Sequence, residues 1–119
     1  MIINKQGQGI VIDKDFYYVG MRVVANENSD YAGLTGTITE IRTGDDKDTE
    51  NPGEDIYCAF DEPEEGGSPG ITEIEERFSE LYGAPKTVGD LGFDEVVMAP
   101  DMLVPMKGAN SNSSQVGRE

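Results

Sequence analysis

Val19-Gly20-Met21-Arg22-Val23-Val24-Ala25 leads through Asn26-Glu27-Asn28-Ser29-Asp30 into Tyr31-Ala32-Gly33-Leu34-Thr35-Gly36-Thr37-Ile38-Thr39-Glu40-Ile41-Arg42. The first segment is a short β-branched run, opened by Gly20 and closed by turn-forming residues. Gly33 and Gly36 flank Leu34, a pattern suited to a tight corner. Glycine tolerates positive φ and close backbone approach there, and the leucine fills the end of the sheet. From Thr37 onward the chain alternates as a strand does, with Ile38 and Ile41 slightly out of phase. That slip predicts a bulge or a sharply bent strand.

Further strands read outward from this pair. Ile10-Val11-Ile12 is a β-branched run between Gly9 and Asp13-Lys14. Ile56-Tyr57-Cys58-Ala59-Phe60 alternates with Ile56, Cys58 and Phe60 on one face and Tyr57 and Ala59 on the other. Val96-Val97-Met98-Ala99 and Met102-Leu103-Val104 are short apolar runs separated by Pro100-Asp101. One segment has the period of a helix: Ile71, Ile74, Phe78, Leu81 and Tyr82 form an apolar stripe with Glu73, Glu75, Glu76 and Glu80 around it. Either Ser68-Pro69 or a Thr72/Glu75 capping box starts it, and Gly83 with Pro85 stops it. The last residues, 107–119, offer almost nothing to bury and read as a disordered tail.

The chain has 119 residues, enough for one small domain with a tail. It carries 24 acidic and 9 basic residues and no histidine, a formal net charge of −15. Nucleic-acid affinity rests mainly on Lys and Arg contacts to phosphate, so direct nucleic-acid binding is not expected. An anionic membrane surface is disfavoured for the same reason. Without histidine there is no Ser-His-Asp or Cys-His nucleophile. A single cysteine, Cys58, excludes an internal disulfide and a cysteine-rich zinc site. Lacking an apolar leader or a spanning segment, the chain reads as a cytoplasmic protein. The acidity is local. From Asp45 to Glu80 fourteen acidic residues face only Lys47 and Arg77, a net of −12.

Residues 19–42, with their aromatic-x-Gly-Leu-x-Gly turn, resemble the KOW-type motif of SH3-like barrels. Ala99-Pro100-Asp101-Met102-Leu103-Val104-Pro105 is similar to the end of such a barrel, where one helical turn joins two short strands and a leucine points inward. The match covers roughly residues 19–42 and 95–105. It implies a mainly β (α+β) domain over residues 1–106: a small SH3-like barrel of about five strands, with an amphipathic helix inserted around 70–83. Nucleic-acid-binding members of the family carry basic loops, and the loops here are acidic. The chain as a whole also resembles short proteins of gut Firmicutes and their mobile elements, which carry no assigned activity.

Reactive chemistry finds little footing. Asp46-Lys47-Asp48-Thr49-Glu50 begins like a calcium loop, but Asn51 stands where the loop needs glycine and Tyr57 where it needs glutamate. No metal site or cofactor is expected. Paired carboxylates arise by chance in so acidic a chain, so no catalytic pair is assigned and an enzyme is not expected. Cys58, on the apolar face of its strand, reads as a buried structural thiol rather than a reactive one. The glycine-rich stretches lack a phosphate-loop lysine and read as turns.

What remains is protein binding without catalysis, for which the chain offers two surfaces. An acidic one comprises Asp45, Asp46, Asp48, Glu50, Glu54, Glu73, Glu76 and Glu80. Such charge serves solubility, or it mimics nucleic-acid phosphate on a basic partner, as in a DNA-mimic inhibitor deployed by a mobile element against host defence. An aromatic one comprises Phe16, Tyr17, Tyr18 and Tyr31, which either close the barrel end or present a platform to a peptide. Oligomeric state is not encoded in any of these patterns.

Overall fold

The computed structural model describes residues 1–106; the tail at 107–119 lies outside the described residues. Among the described residues eight strands and one α-helix make a mainly β, α+β domain. The strands are β1 (Ile2–Ile3), β2 (Gly9–Ile12), β3 (Asp15–Tyr18), β4 (Arg22–Ala25), β5 (Thr35–Arg42), β6 (Asp55–Phe60), β7 (Val96–Met98) and β8 (Leu103–Pro105). The helix α1 spans Ile71–Tyr82 between β6 and β7. No helix among the described residues is long and apolar enough to cross a membrane.

The main sheet runs β7-β6-β5-β4-β8, antiparallel throughout, and β1 adds beside the far end of β5. Strand β5 is therefore the spine. One edge pairs with β6 along its length, and the other pairs with β4 at Thr35–Thr37 and with β1 at Ile41–Arg42. The register slips between Ile38 and Glu40, so Thr39 is the bulged residue that the out-of-phase isoleucines predict. The slip puts Ile38 and Ile41 both into the core, where they are fully buried with Val23, Ile56 and Cys58. A single 3₁₀ turn, Pro100–Met102, carries the chain from β7 to β8, whose Leu103 packs in the core.

Two expectations need correcting. Among the described residues the strands number eight rather than about five: the path β7-β6-β5-β4-β8 has five, and β1 with the β2–β3 pair adds three. The sheet is also open: β7 and β8 are its two ends and do not pair with each other.

The glycine corner behaves as its residues dictate. Gly33 has φ of +93°, and a Cβ there would lie 2.7 Å from Cδ of Pro69. Gly36 has no positive φ; it is needed for close approach, since a Cβ would meet the Phe60 ring at 2.8 Å and the Ala59 carbonyl at 2.9 Å. Between them Leu34 is buried.

Helix α1 stops as expected, with Gly83 in the left-handed conformation. Its start differs. The N-cap is Gly70, with no side-chain cap from Ser68, and Glu75 accepts from the Val88 amide (2.8 Å) instead of closing a box with Thr72. Tertiary packing holds this end. Ile74 and Phe78 are buried, and Tyr31 joins helix to sheet with its ring 5.3 Å from Phe60, 5.2 Å from Phe78 and 6.0 Å from Phe93.

Candidate partner-binding surface

Strands β2 and β3 form a hairpin of their own, closed by the two-residue turn Asp13-Lys14. Both turn residues have positive φ, 50° and 79°, the geometry of a tight type I′ turn. Pairing sets Gly9 opposite Tyr18, Ile10 opposite Tyr17, Val11 opposite Phe16 and Ile12 opposite Asp15. Side chains alternate along a strand, so Ile10, Ile12 and Tyr17 share the inner face and Val11, Phe16 and Tyr18 the outer one. The inner face packs on the core, with Tyr17 5% exposed. Burial first, then Asp15 and Asp13, push the Tyr17 phenol above its ordinary pKa, so it stays neutral.

The outer face is apolar too. Val11 is 67% exposed, Phe16 49% and Tyr18 37%, and the two rings stack with centroids 5.6 Å apart. A surface hairpin normally presents polar residues outward, and this one does not. Met1 and Ile2 continue the apolar surface beside it: a groove of about 480 Å³ between β1 and the hairpin is lined by Met1, Ile2, Ile3, Gly9, Ile10 and Phe16.

The aromatic quartet proposed from the sequence thus divides. Phe16 and Tyr18 lie on one exposed face, whereas Tyr17 is turned inward. Tyr31 belongs to the internal cluster with Phe60, Phe78 and Phe93, and its hydroxyl donates to the Gly92 carbonyl (3.0 Å). Burial, then Tyr82 and Asp30, raise its pKa. The residues missed were Val11, Ile2 and Met1. Period-two alternation held the signal for Val11, because a two-stranded hairpin cannot bury all of Ile10, Val11 and Ile12 on one face.

The acidic residues also divide. Asp45, Asp46, Asp48, Glu50 and Glu54 belong to the loop at the Arg42/Asp55 end of the β5–β6 ladder, and α1 with Glu73, Glu76 and Glu80 follows the opposite end at Phe60. Arg77 fixes the helix there by donating to the carbonyls of Asp30 (2.9 Å) and Ala32 (3.0 Å) in the β4–β5 loop. From Gly36 to Arg42 the ladder covers about 20 Å at the usual rise per residue. The two acidic groups thus adjoin opposite ends of that ladder in the chain path. Several are also engaged: Asp46 pairs with the Met1 ammonium, Asp48 with Arg42 (2.8 Å), and Glu73 with Arg77 (3.6 Å).

The long β5–β6 loop is internally organised, and the reason is Asp55, which was not singled out. Its carboxylate is 0% exposed. One oxygen accepts from the amides of Asp48 (2.7 Å) and Thr49 (2.9 Å), the other from the Thr49 hydroxyl (2.5 Å), with Lys47 at 3.8 Å. Burial alone would raise its pKa; the Thr49 and Asp48 hydrogen bonds and the Lys47 charge outweigh that and hold it below the usual carboxylate value. Lys47 also donates to the Asn51 and Gly53 carbonyls, tying the loop tip back. Nearby, burial and a hydrogen bond to Asp48 push the Tyr57 phenol up to about 12, under an Arg42 guanidinium 5.1 Å from the ring centre. That cover buries Tyr57 on the face of β6 opposite Ile56, Cys58 and Phe60.

Cys58 is fully buried, and burial pushes its thiol up to about 12. Among the described residues no cluster of three or more His, Cys, Asp or Glu side chains is arranged to hold a metal ion. No protein-family model, curated protein or solved structure matches the chain.

Proposed function

We propose that this domain is a non-catalytic, acidic protein-binding module that works in the bacterial cytoplasm through the outer face of its β2–β3 hairpin. The observation that carries the reading is the hairpin's second apolar face, Val11, Phe16 and Tyr18, continued by Met1 and Ile2. Contiguous exposed apolar surface on a small domain is characteristic of interaction sites. The strand path β8-β4-β5-β6-β7, with a 3₁₀ turn before the last strand, supports an open SH3-like barrel as the scaffold. That class of fold presents binding surfaces of many kinds.

The test is site-specific photo-crosslinking in host extract. A benzophenone side chain at position 16 is expected to give a discrete protein adduct that survives nuclease and about 300 mM salt, where the Debye length is below about 8 Å. The same group at position 80 on α1 serves as the control. Equal yields at both positions, or none at 16, overturn the reading. The competing DNA-mimic reading, in which Asp45, Asp46, Asp48, Glu50, Glu54, Glu73, Glu76 and Glu80 replace phosphates on a basic partner, requires instead an adduct at 80 that high salt abolishes. Its weakness is the separation of the two acidic groups along the β5–β6 ladder.

A further inference from the structure

The hairpin has a free edge as well as a free face. A two-residue turn closes on a hydrogen-bonded pair, so Ile12–Asp15 and Ile10–Tyr17 exchange backbone bonds. By the same alternation Gly9 and Val11 point amide and carbonyl away from β3. Among the described residues β2 pairs with β3 alone, and no other backbone group takes up these four. A row of unpaired strand amides beside apolar side chains is a template for another strand.

The ground along this edge changes character from one end of β2 to the other. At Gly9 and Ile10 lies the groove walled by Met1, Ile2, Ile3 and Phe16. At Val11 and Ile12 lies a second hollow, about 450 Å³, bounded by Asp13, Glu54, Pro52, Pro100 and Asp101. None of Asp13, Glu54 and Asp101 has an ion-pair partner among the described residues. One half of the track is therefore apolar and the other half anionic.

We infer that β2 takes up an extended segment of a partner protein as a third hairpin strand, with apolar side chains beside Gly9–Ile10 and Lys or Arg side chains beside Asp13, Glu54 and Asp101. The inference rests on the protein-binding reading and adds the occupant's chemistry. A second copy of this chain is the poorer fit, because two molecules of net charge −15 repel and each brings carboxylates, not cations, to the anionic half. A cationic strand gains on both counts, with backbone bonds supplying affinity and charge supplying orientation.

The test uses the full chain and labelled eight-residue peptides, with two valines in one half, two lysines in the other and threonines between, made in both chain directions. Fluorescence anisotropy is expected to show binding for one direction and none when the lysines become glutamates. N-methylation of alternate peptide amides in one frame should abolish binding, while the other frame is tolerated. Val11→Pro, which removes one outward amide at an exposed edge position, should weaken binding about tenfold, the worth of one hydrogen bond. The N-methylated pair keeps the test decisive if that variant folds poorly. Equal loss from both N-methyl frames, or from neither, refutes strand addition. If neither direction binds while the position-16 cross-link still forms, this inference fails and the protein-binding reading stands. A dimer in sedimentation that Val11→Pro dissociates assigns the edge to a second copy and overturns the proposal.

Discussion

Replacing Asp55 with asparagine keeps the size of the side chain and removes its charge. In the folded protein the carboxylate receives two backbone amides on one oxygen and a hydroxyl on the other, with Lys47 close by. An asparagine carbonyl can still accept the amides of Asp48 and Thr49, but as neutral rather than charge-assisted bonds, roughly half as strong. Its NH₂ can turn to Thr49 and then faces Lys47 unfavourably. Two weakened buried bonds and one lost partly buried ion pair come to about 3 kcal/mol. With a urea dependence of about 1.5 kcal/mol per molar, the midpoint should fall by about 2 M. The pH response gives an independent check. The folded pKa lies below the unfolded value of 3.8, so the stabilisation is fully present above that value and is lost as pH falls through the folded pKa. Urea unfolding of both proteins at pH 7, 5 and 2.5 should show a constant gap at the first two and a closing gap at the last. A gap under about 1 kcal/mol at pH 7, or one unchanged at pH 2.5, refutes the assignment of Asp55 as the organiser of the loop.

The two sides of the hairpin should respond oppositely to truncation. Tyr17→Ala, on the buried side, should cost about 3–5 kcal/mol in the same unfolding assay. Phe16→Ala and Tyr18→Ala should each cost less than about 1 kcal/mol and change partner capture instead. Gly33→Ala forces a Cβ into positive-φ backbone against Pro69 and should destabilise by about 1–3 kcal/mol, read as a lowered melting temperature. Cys58, with its thiol pushed up to about 12, should resist a disulfide reagent at pH 8 in the folded protein and react at once in denaturant. Fast reaction of the native protein would mean that β6 opens locally.

The parts of this fold that the sequence discloses are those where one residue type permits one geometry. Gly33 before Leu34 marks the corner, the Ile38/Ile41 phase slip marks the bulge, and Gly83 ends the helix. The hairpin was half hidden because Asp13-Lys14 lacks the glycine that normally advertises a tight two-residue turn, so Phe16–Tyr18 looked like a cluster rather than a strand. β1 is two residues long and gives no period to detect. At the start of the helix the expected side-chain cap is absent, and the packing of Ile74 and Phe78 holds that end instead. At the candidate surface, composition reveals acidity but not its partition. Only the register of β5 against β6 separates the loop's carboxylates from those of α1. Asp55 looked like one more member of an acidic run, since burial is a property of where a strand begins in space, not of the residues beside it.

Strand β5 answers to β6, β4 and β1 at once. A change of length within it would therefore shift three registers together and turn isoleucines toward water. The connection at 61–70 contains no strand and can lengthen or shorten at modest cost in chain entropy, whereas 43–54 is held by the buried Asp55. Variation among descendants of this chain is thereby channelled away from its central ribbon and into the acidic connection after β6, which carries Asp61, Glu62, Glu64 and Glu65. Electrostatic character can drift while the scaffold stays put.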